Sequence, residues 1–151
     1  MVKIIFLNNK GIIIPKLIEL ITWSGYDHCE IICSDGINSI SALEFHGVIK
    51  RPLSKVKDKA KDWVVVEYPA NITKTEAFLN TQIGRSYDYL GAIGLGFHAD
   101  WDTKKNWWCS EIDYVGLVKG GFQAYRDGYS DRITPEDLYK LNYNIVDKSK
   151  G

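Results

Sequence analysis

At 151 residues the chain fits one domain that buries roughly two-thirds of the surface its unfolded form exposes. Its composition, 45% apolar and 25% charged, excludes a disordered or fibrous protein. Nineteen basic residues balance nineteen acidic ones, so no electrostatic excess points to nucleic acid as a partner, and the longest apolar stretches, GIII and LIELITW, are far short of a membrane span.

In chain order, VKIIFLN is rich in β-branched and aromatic residues and predicts a first strand closing in the turn-prone NNKG. Pro15 opens a helix over IPKLIELITW, with Leu17, Ile18, Leu20 and Ile21 as its apolar stripe and Ser24-Gly25 as its end. HCEIICSDGINSISAL reads as a β-hairpin turning at Ser34-Asp35-Gly36. The basic stretch from Arg51 to Asp62 predicts a solvated loop, and DWVVVEYP a strand ended by Pro69. Thr73 with Glu76 three residues on makes a capping box for a helix through TKTEAFLNTQIG, stopping at Gly84. RSYDYLGAIGLGFHADWDTKKN is a glycine-rich loop or short helix. Ser110 to Val118 shows a helical period ended by Gly120-Gly121, and Glu111 and Asp113 in its first turn complement the helix dipole. Thr134-Pro135-Glu136-Asp137 starts a short helix, PEDLYKL, before a last strand, NYNIVD. Without repeats or a linker, residues 1–151 read as a single α+β domain with an antiparallel sheet.

Three cysteines, Cys29, Cys33 and Cys109, form an odd set in a chain that opens without a charged leader or cleavage site. That pattern predicts free thiols in a reducing cytoplasm, and no spacing supplies a zinc site. Cys29 and Cys33 read as inert packing residues of the hairpin. Cys109, in NWWCSEIDYVG, stands at the head of a helix, where the partial positive charge of the helix N-terminus lowers a thiol pKa; its aromatic neighbours equally suit a core. Thiol catalysis also needs an imidazole, and the chain has His28, His46 and His98. His28, at the start of a strand after SGYD, is the one a strand backbone would hold at the mouth of a cleft.

The order GYDHCEII, SISALEFHGVI, IGRSYDYLG, NWWCSEIDYVGL resembles that of permuted papain-like enzymes of the NlpC superfamily, the YiiX-like group and its lecithin:retinol acyltransferase-like relatives, in which the histidine strand precedes the cysteine helix. The overall pattern is also similar to that of bacteriophage proteins of this type. The resemblance runs from about Thr22 to about Leu117 and implies a circularly permuted papain-like (NlpC-type) fold, with Cys109 as nucleophile, His28 as general base and Tyr87 as an oxyanion donor. The family's third polar residue falls on the second hairpin strand, and its nearest match, Ser41, departs from the usual Glu, His or Asn. If Ser34 to Ile37 form the hairpin loop, paired residues bring His28 opposite Leu43, on one face with Ser39, Ser41 and Glu30. A one-residue bulge would instead bring Glu44 opposite His28. Ser41 and Glu44 both stay open as the residue that orients the ring.

The resemblance implies a cysteine-dependent hydrolase of the peptidase or amidase type, acting on a peptide-like or lipid-like amide or ester and needing no metal or organic cofactor. The alternative is an inactive papain-like fold used as a binding module, such as a phage protein acting on a host component.

Overall fold

The computed structural model describes residues 1–9, 25–88, 106–126, 133–141 and 143–149. Strand β1 (Val2–Asn9) has Ile4, Ile5, Phe6 and Leu7 all buried, on both faces, which makes it a central strand. It pairs antiparallel with β2 (His28–Ile32) on one side and β5 (Ala60–Tyr68) on the other. With β3 (Asn38–Leu43), β4 (Gly47–Pro52) and β8 (Asn144–Lys148) these form one six-stranded antiparallel sheet in the order β4-β3-β2-β1-β5-β8. The β2–β3 hairpin has the register expected for a Ser34 to Ile37 loop, with Ile31 opposite Ile40 and Ile32 opposite Ser39.

The segment from Arg51 to Asp62 is not a loop. Arg51 and Pro52 end β4, helix α1 (Leu53–Lys59) follows, and β5 starts at Ala60. The apolar residues there are few but spaced for one face: Val56 is buried, and Leu53 packs with it against Ile5, Leu7 and Val65 on the sheet. The lysines stay outside, and Lys57 caps the Trp63 ring at 3.8 Å while pairing with Asp147.

The cap of helix α2 (Ile72–Gln82) lies two residues before the expected Thr73. Asn71 is the N-cap and accepts from the Lys74 N–H at 3.1 Å, while Glu76, free of capping, accepts from Ser34 and Lys50. A parallel pair, β6 (Ser86–Tyr87) and β7 (Asn106–Trp107), precedes helix α3 (Cys109–Lys119). Helix α4 (Pro135–Tyr139) has the expected Thr134 cap, completed by Asp137 as a capping box. Helices α2, α3 and α4 contribute to the larger core with Phe6, Cys29, Ile31 and Ile40 of the sheet. No helix among the described residues is long and apolar enough to cross a membrane. The helix expected over IPKLIELITW, and Tyr89 and His98 in the glycine-rich stretch, lie outside the described residues.

Candidate active site

Helix α3 is buried almost all round, from Cys109 to Leu117. Close packing against α2 depends on Gly116, whose carbonyl accepts from the Thr75 hydroxyl at 2.9 Å and whose missing side chain leaves room for Ile31 and Leu79. The head of the helix is held by Trp107, whose indole N–H donates to Gln82 at 3.1 Å and whose ring meets Phe78 edge-on, and by Ser110, which donates to the Ile133 carbonyl at 2.6 Å. The N-cap, Trp108, has no acceptor with which to cap the first-turn N–H groups. Cys109 therefore sits at a rigid helix start whose amides, its own included, are not tied up by a capping side chain.

His28 opens β2 beside this helix start, and its side chain is 12% exposed. Ring atom Nε2 lies 3.0 Å from Glu30 Oε1, which leaves Nδ1 as the nitrogen available to the Cys109 sulfur. Glu30 is wholly buried and fully engaged: it accepts from Ser39 Oγ at 2.6 Å and from the Arg51 guanidinium, whose Nε is 3.0 Å from Oε1 and whose Nη2 is also bound. Burial works to raise the Glu30 pKa, but the hydrogen bonds and charges of His28 and Arg51 outweigh it and hold the carboxyl at about 2.

The His28 imidazole and the Cys109 thiol shift each other. Burial alone would lower the His28 pKa, yet the charge and hydrogen bond of Cys109, followed by those of Glu30, raise it to about 10. The Cys29 thiol hydrogen bond, with the charge and hydrogen bond of His28 and the Cys29 backbone N–H, outweighs burial and draws the Cys109 thiol well below its ordinary value. Together these shifts describe a thiolate paired with an imidazolium, the protonation state a sulfur nucleophile needs.

No protein-family model matches the chain, and no curated protein matches it significantly. Among solved structures it is similar to the crystal structure of metalloprotein YiiX from Escherichia coli O157:H7, a DUF1105 protein, with a TM-score of 0.63 and 20% identity over 92% of this chain and 78% of that one. The fold is permuted papain-like. Among the described residues no three His, Cys, Asp or Glu side chains converge as a metal-ligand set.

The other residues singled out from sequence fall at varying distance from this centre. Ser41 is buried and donates to the Cys29 carbonyl at 2.8 Å, so it braces the β2 backbone and does not reach the His28 ring. Glu44 lies in the β3–β4 turn and lines the same cleft as His28 and Cys109. Burial raises its carboxyl pKa against the opposing pull of the His28 charge, and it makes no hydrogen bond to the ring. Tyr87 is held in β6 beside Trp107 and also lines the cleft. Exposed His46 turns its ring onto the Glu44 carbonyl at 2.9 Å.

Four residues that matter here carried other readings. Glu30 shares His28's face in the hairpin register and is also the ring's partner, and Arg51, expected in a solvated loop, joins it from the end of β4. The usable signal was a lone carboxylate in the otherwise apolar run CEII, which cannot be buried without a cation or several donors. Glu111 stands in the first turn of α3 as expected, whereas Asp113 lies beyond it, and both are buried. Asp113 is buried beside the Cys29 thiol, and burial with the nearby Cys109 charge outweighs the opposing Cys29 hydrogen bond and His28 charge, pushing its carboxyl well up, toward the neutral acid.

The cleft has a volume of about 260 Å³ and a mostly apolar surface. Its lip is the β3–β4 turn, where Phe45 is 79% exposed and has φ +64°, the one non-glycine residue at positive φ among the described residues. A bulky residue in this region costs about 1–2 kcal/mol that glycine or asparagine would avoid.

Proposed function

We propose that the protein is a cysteine-dependent hydrolase of the peptidase or amidase type, with Cys109 as nucleophile, His28 as acid and base, and Glu30 as the residue that orients and charges the ring. The observation that carries this reading is the contact of His28 Nε2 with the buried Glu30 carboxylate, which leaves Nδ1 for a thiol at the head of α3 in an open cleft.

The Cys109 thiolate adds to the carbonyl carbon of an amide or ester. The oxyanion so formed takes hydrogen bonds from the Cys109 backbone N–H and, with Tyr87 in the cleft wall, from its phenol. His28 gives its Nδ1 proton to the departing nitrogen or oxygen, and the C–N or C–O bond breaks to leave a thioester. Neutral His28 then takes a proton from water, whose oxygen attacks the thioester, and the C–S bond breaks to release the acid and restore the ion pair. Glu30 keeps its charge throughout. The chemistry is of the kind the resemblance to NlpC-superfamily hydrolases implies, and the three cysteines, all free and buried, suit a reducing compartment such as the cytoplasm.

Alkylation by iodoacetamide, read thiol by thiol by mass spectrometry between pH 5 and 9, tests the pair. Cys109 is expected to react faster than Cys29 and Cys33 near neutral pH, because burial raises Cys29 and Cys33, the latter to about 11. His28→Ala is expected to cut the Cys109 rate at pH 6 by about tenfold or more. Equal reactivity of the three thiols, together with no effect of His28→Ala, overturns the reading.

A further inference from the structure

Next to the nucleophile lie two wholly buried polar groups that the proposed reaction does not use, Cys29 and Asp113. The packing of α3 on β2 brings them together. Cys109, Asp113 and Gly116 stand at i, i+4 and i+7 and so share one face of the helix. That face lies along β2, for a Cβ at Gly116 would stand 3.1 Å from Ile31 Cδ1, and strand alternation puts Cys29 on the same side as Ile31. The β2–β3 ladder ends at Ile31 and Ile40; beyond it Ser41 holds the Cys29 carbonyl at 2.8 Å and fixes the residue in place.

The Cys29 thiol is within hydrogen-bonding reach of both Cys109 and Asp113, and it has one hydrogen to give. Burial and the hydrogen bond to Cys109 raise its pKa well above the ordinary thiol value, so the hydrogen stays on Cys29. Asp113, held toward the neutral acid by burial and the Cys109 charge, has a hydrogen of its own. Its O–H therefore donates to the Cys29 sulfur and leaves the Cys29 S–H for Cys109. The other titratable groups around this cluster are His28 and Glu30 on β2, Asp27 before it, Glu44 in the β3–β4 turn, Tyr68 on β5 and Tyr87 in the cleft wall. Of these, His28 alone becomes a cation.

We propose that Cys29 is a positioning residue for the nucleophile: its S–H, oriented by Asp113, donates to the Cys109 thiolate and stabilises it without adding charge. The proposal rests on the thiolate and imidazolium pair read above.

Ultraviolet absorbance of the thiolate, taken as the difference between each protein and its Cys109→Ala counterpart across a pH titration, gives the Cys109 midpoint without substrate. Cys29→Ala removes the donor and is expected to raise the midpoint by about one to two pH units, the size of one hydrogen bond to a charged group. Cys29→Ser supplies an O–H donor instead and is expected to hold the midpoint within about half a unit of the wild type. Asp113→Asn retains an uncharged donor to Cys29, so the midpoint stays in place, whereas Asp113→Leu, which cannot donate, raises it. A wild-type midpoint in Cys29→Ala overturns the proposal. So does a Cys29→Ser shift as large as that of Cys29→Ala, because the effect would then be packing alone. If Cys29→Ser does not fold, equal midpoints in Asp113→Asn and Asp113→Leu overturn it in the same way. A midpoint that falls in Asp113→Asn overturns it too, since a charged Asp113 would take the Cys29 hydrogen for itself. The two readings fail differently. A wild type without thiolate at pH 7 removes the ion pair and this proposal together. A low wild-type midpoint that His28→Ala raises and Cys29→Ala leaves unchanged sinks the Cys29 role alone.

Discussion

Glu30 is the residue on which the site turns. A carboxylate with about 1% of its side chain exposed is tolerated only because Arg51, Ser39 and His28 satisfy it together, and the same contacts fix the tautomer and charge of the imidazole. Glu30→Gln keeps the shape and removes the charge. His28 then loses the partner that favours its protonated form, so the midpoint of Cys109 alkylation is expected to move to higher pH, with a rate at pH 6 lower by about tenfold. Ser41→Ala provides the contrast, since its hydroxyl serves the Cys29 carbonyl; it should leave that pH profile in place. An alkylation profile that shifts for Ser41→Ala and not for Glu30→Gln would reverse the roles. The identity of the orienting group was half legible. Hairpin parity puts Glu30, Ser39 and Ser41 on His28's face, but parity cannot say which of three neighbours reaches the ring, because that depends on Arg51 reaching across β3 from β4.

At the scale of elements, the cleft is built by strand ends and turns, and its accuracy depends on a few close backbone approaches. Gly47 starts β4 and lies against the Arg85 carbonyl, which also accepts from the Val48 N–H at 2.8 Å; β6, with Tyr87, follows directly. Gly47→Ala adds a Cβ where backbone already stands, at φ +69°, and is expected to cost about 2–4 kcal/mol. Gly36→Ala is the matched control. It has φ +66° but open space around the new methyl, so it should cost only about 1 kcal/mol, both being read from urea unfolding. Equal costs would mean that the Arg85 approach contributes nothing. The sequence made the β2–β3 hairpin and the Thr134 cap legible because turn residues and caps act over three or four positions. It misread α1 and the start of α2 for the complementary reason. A single buried Val56 is a faint periodic signal among lysines, and the Thr73–Glu76 capping box loses Glu76 to Ser34 and Lys50 across the fold.

For the whole molecule, one buried network couples the site to stability. Glu30 falls from its ordinary 4.5 to about 2 on folding, so it contributes stability that is fully present above about pH 4.5 and is lost as pH falls through 2. That linkage is worth about 3 kcal/mol near neutrality, of which about 2 kcal/mol disappears between pH 6 and pH 3. Urea unfolding at the two pH values should show this loss in the wild type and a smaller one in Glu30→Gln; an equal loss in both would assign the acid sensitivity to other carboxylates. His28 has the opposite sign. Its pKa rises to about 10, so its contribution is complete below pH 6.5 and is lost as pH rises through 10. The sequence by itself determined the α+β class, the first strand, the hairpin register and the candidate pair Cys109 and His28, because periodicity, turn chemistry and motif order are written along the chain. Only the tertiary structure decided that Glu30 and not Ser41 meets the imidazole, that Arg51 is bound to that Glu30, and that the β3–β4 turn lines the cleft. Those facts depend on which side chains from separate strands share one desolvated volume, and charge pairing across 21 residues, from Glu30 to Arg51, leaves no local trace in sequence.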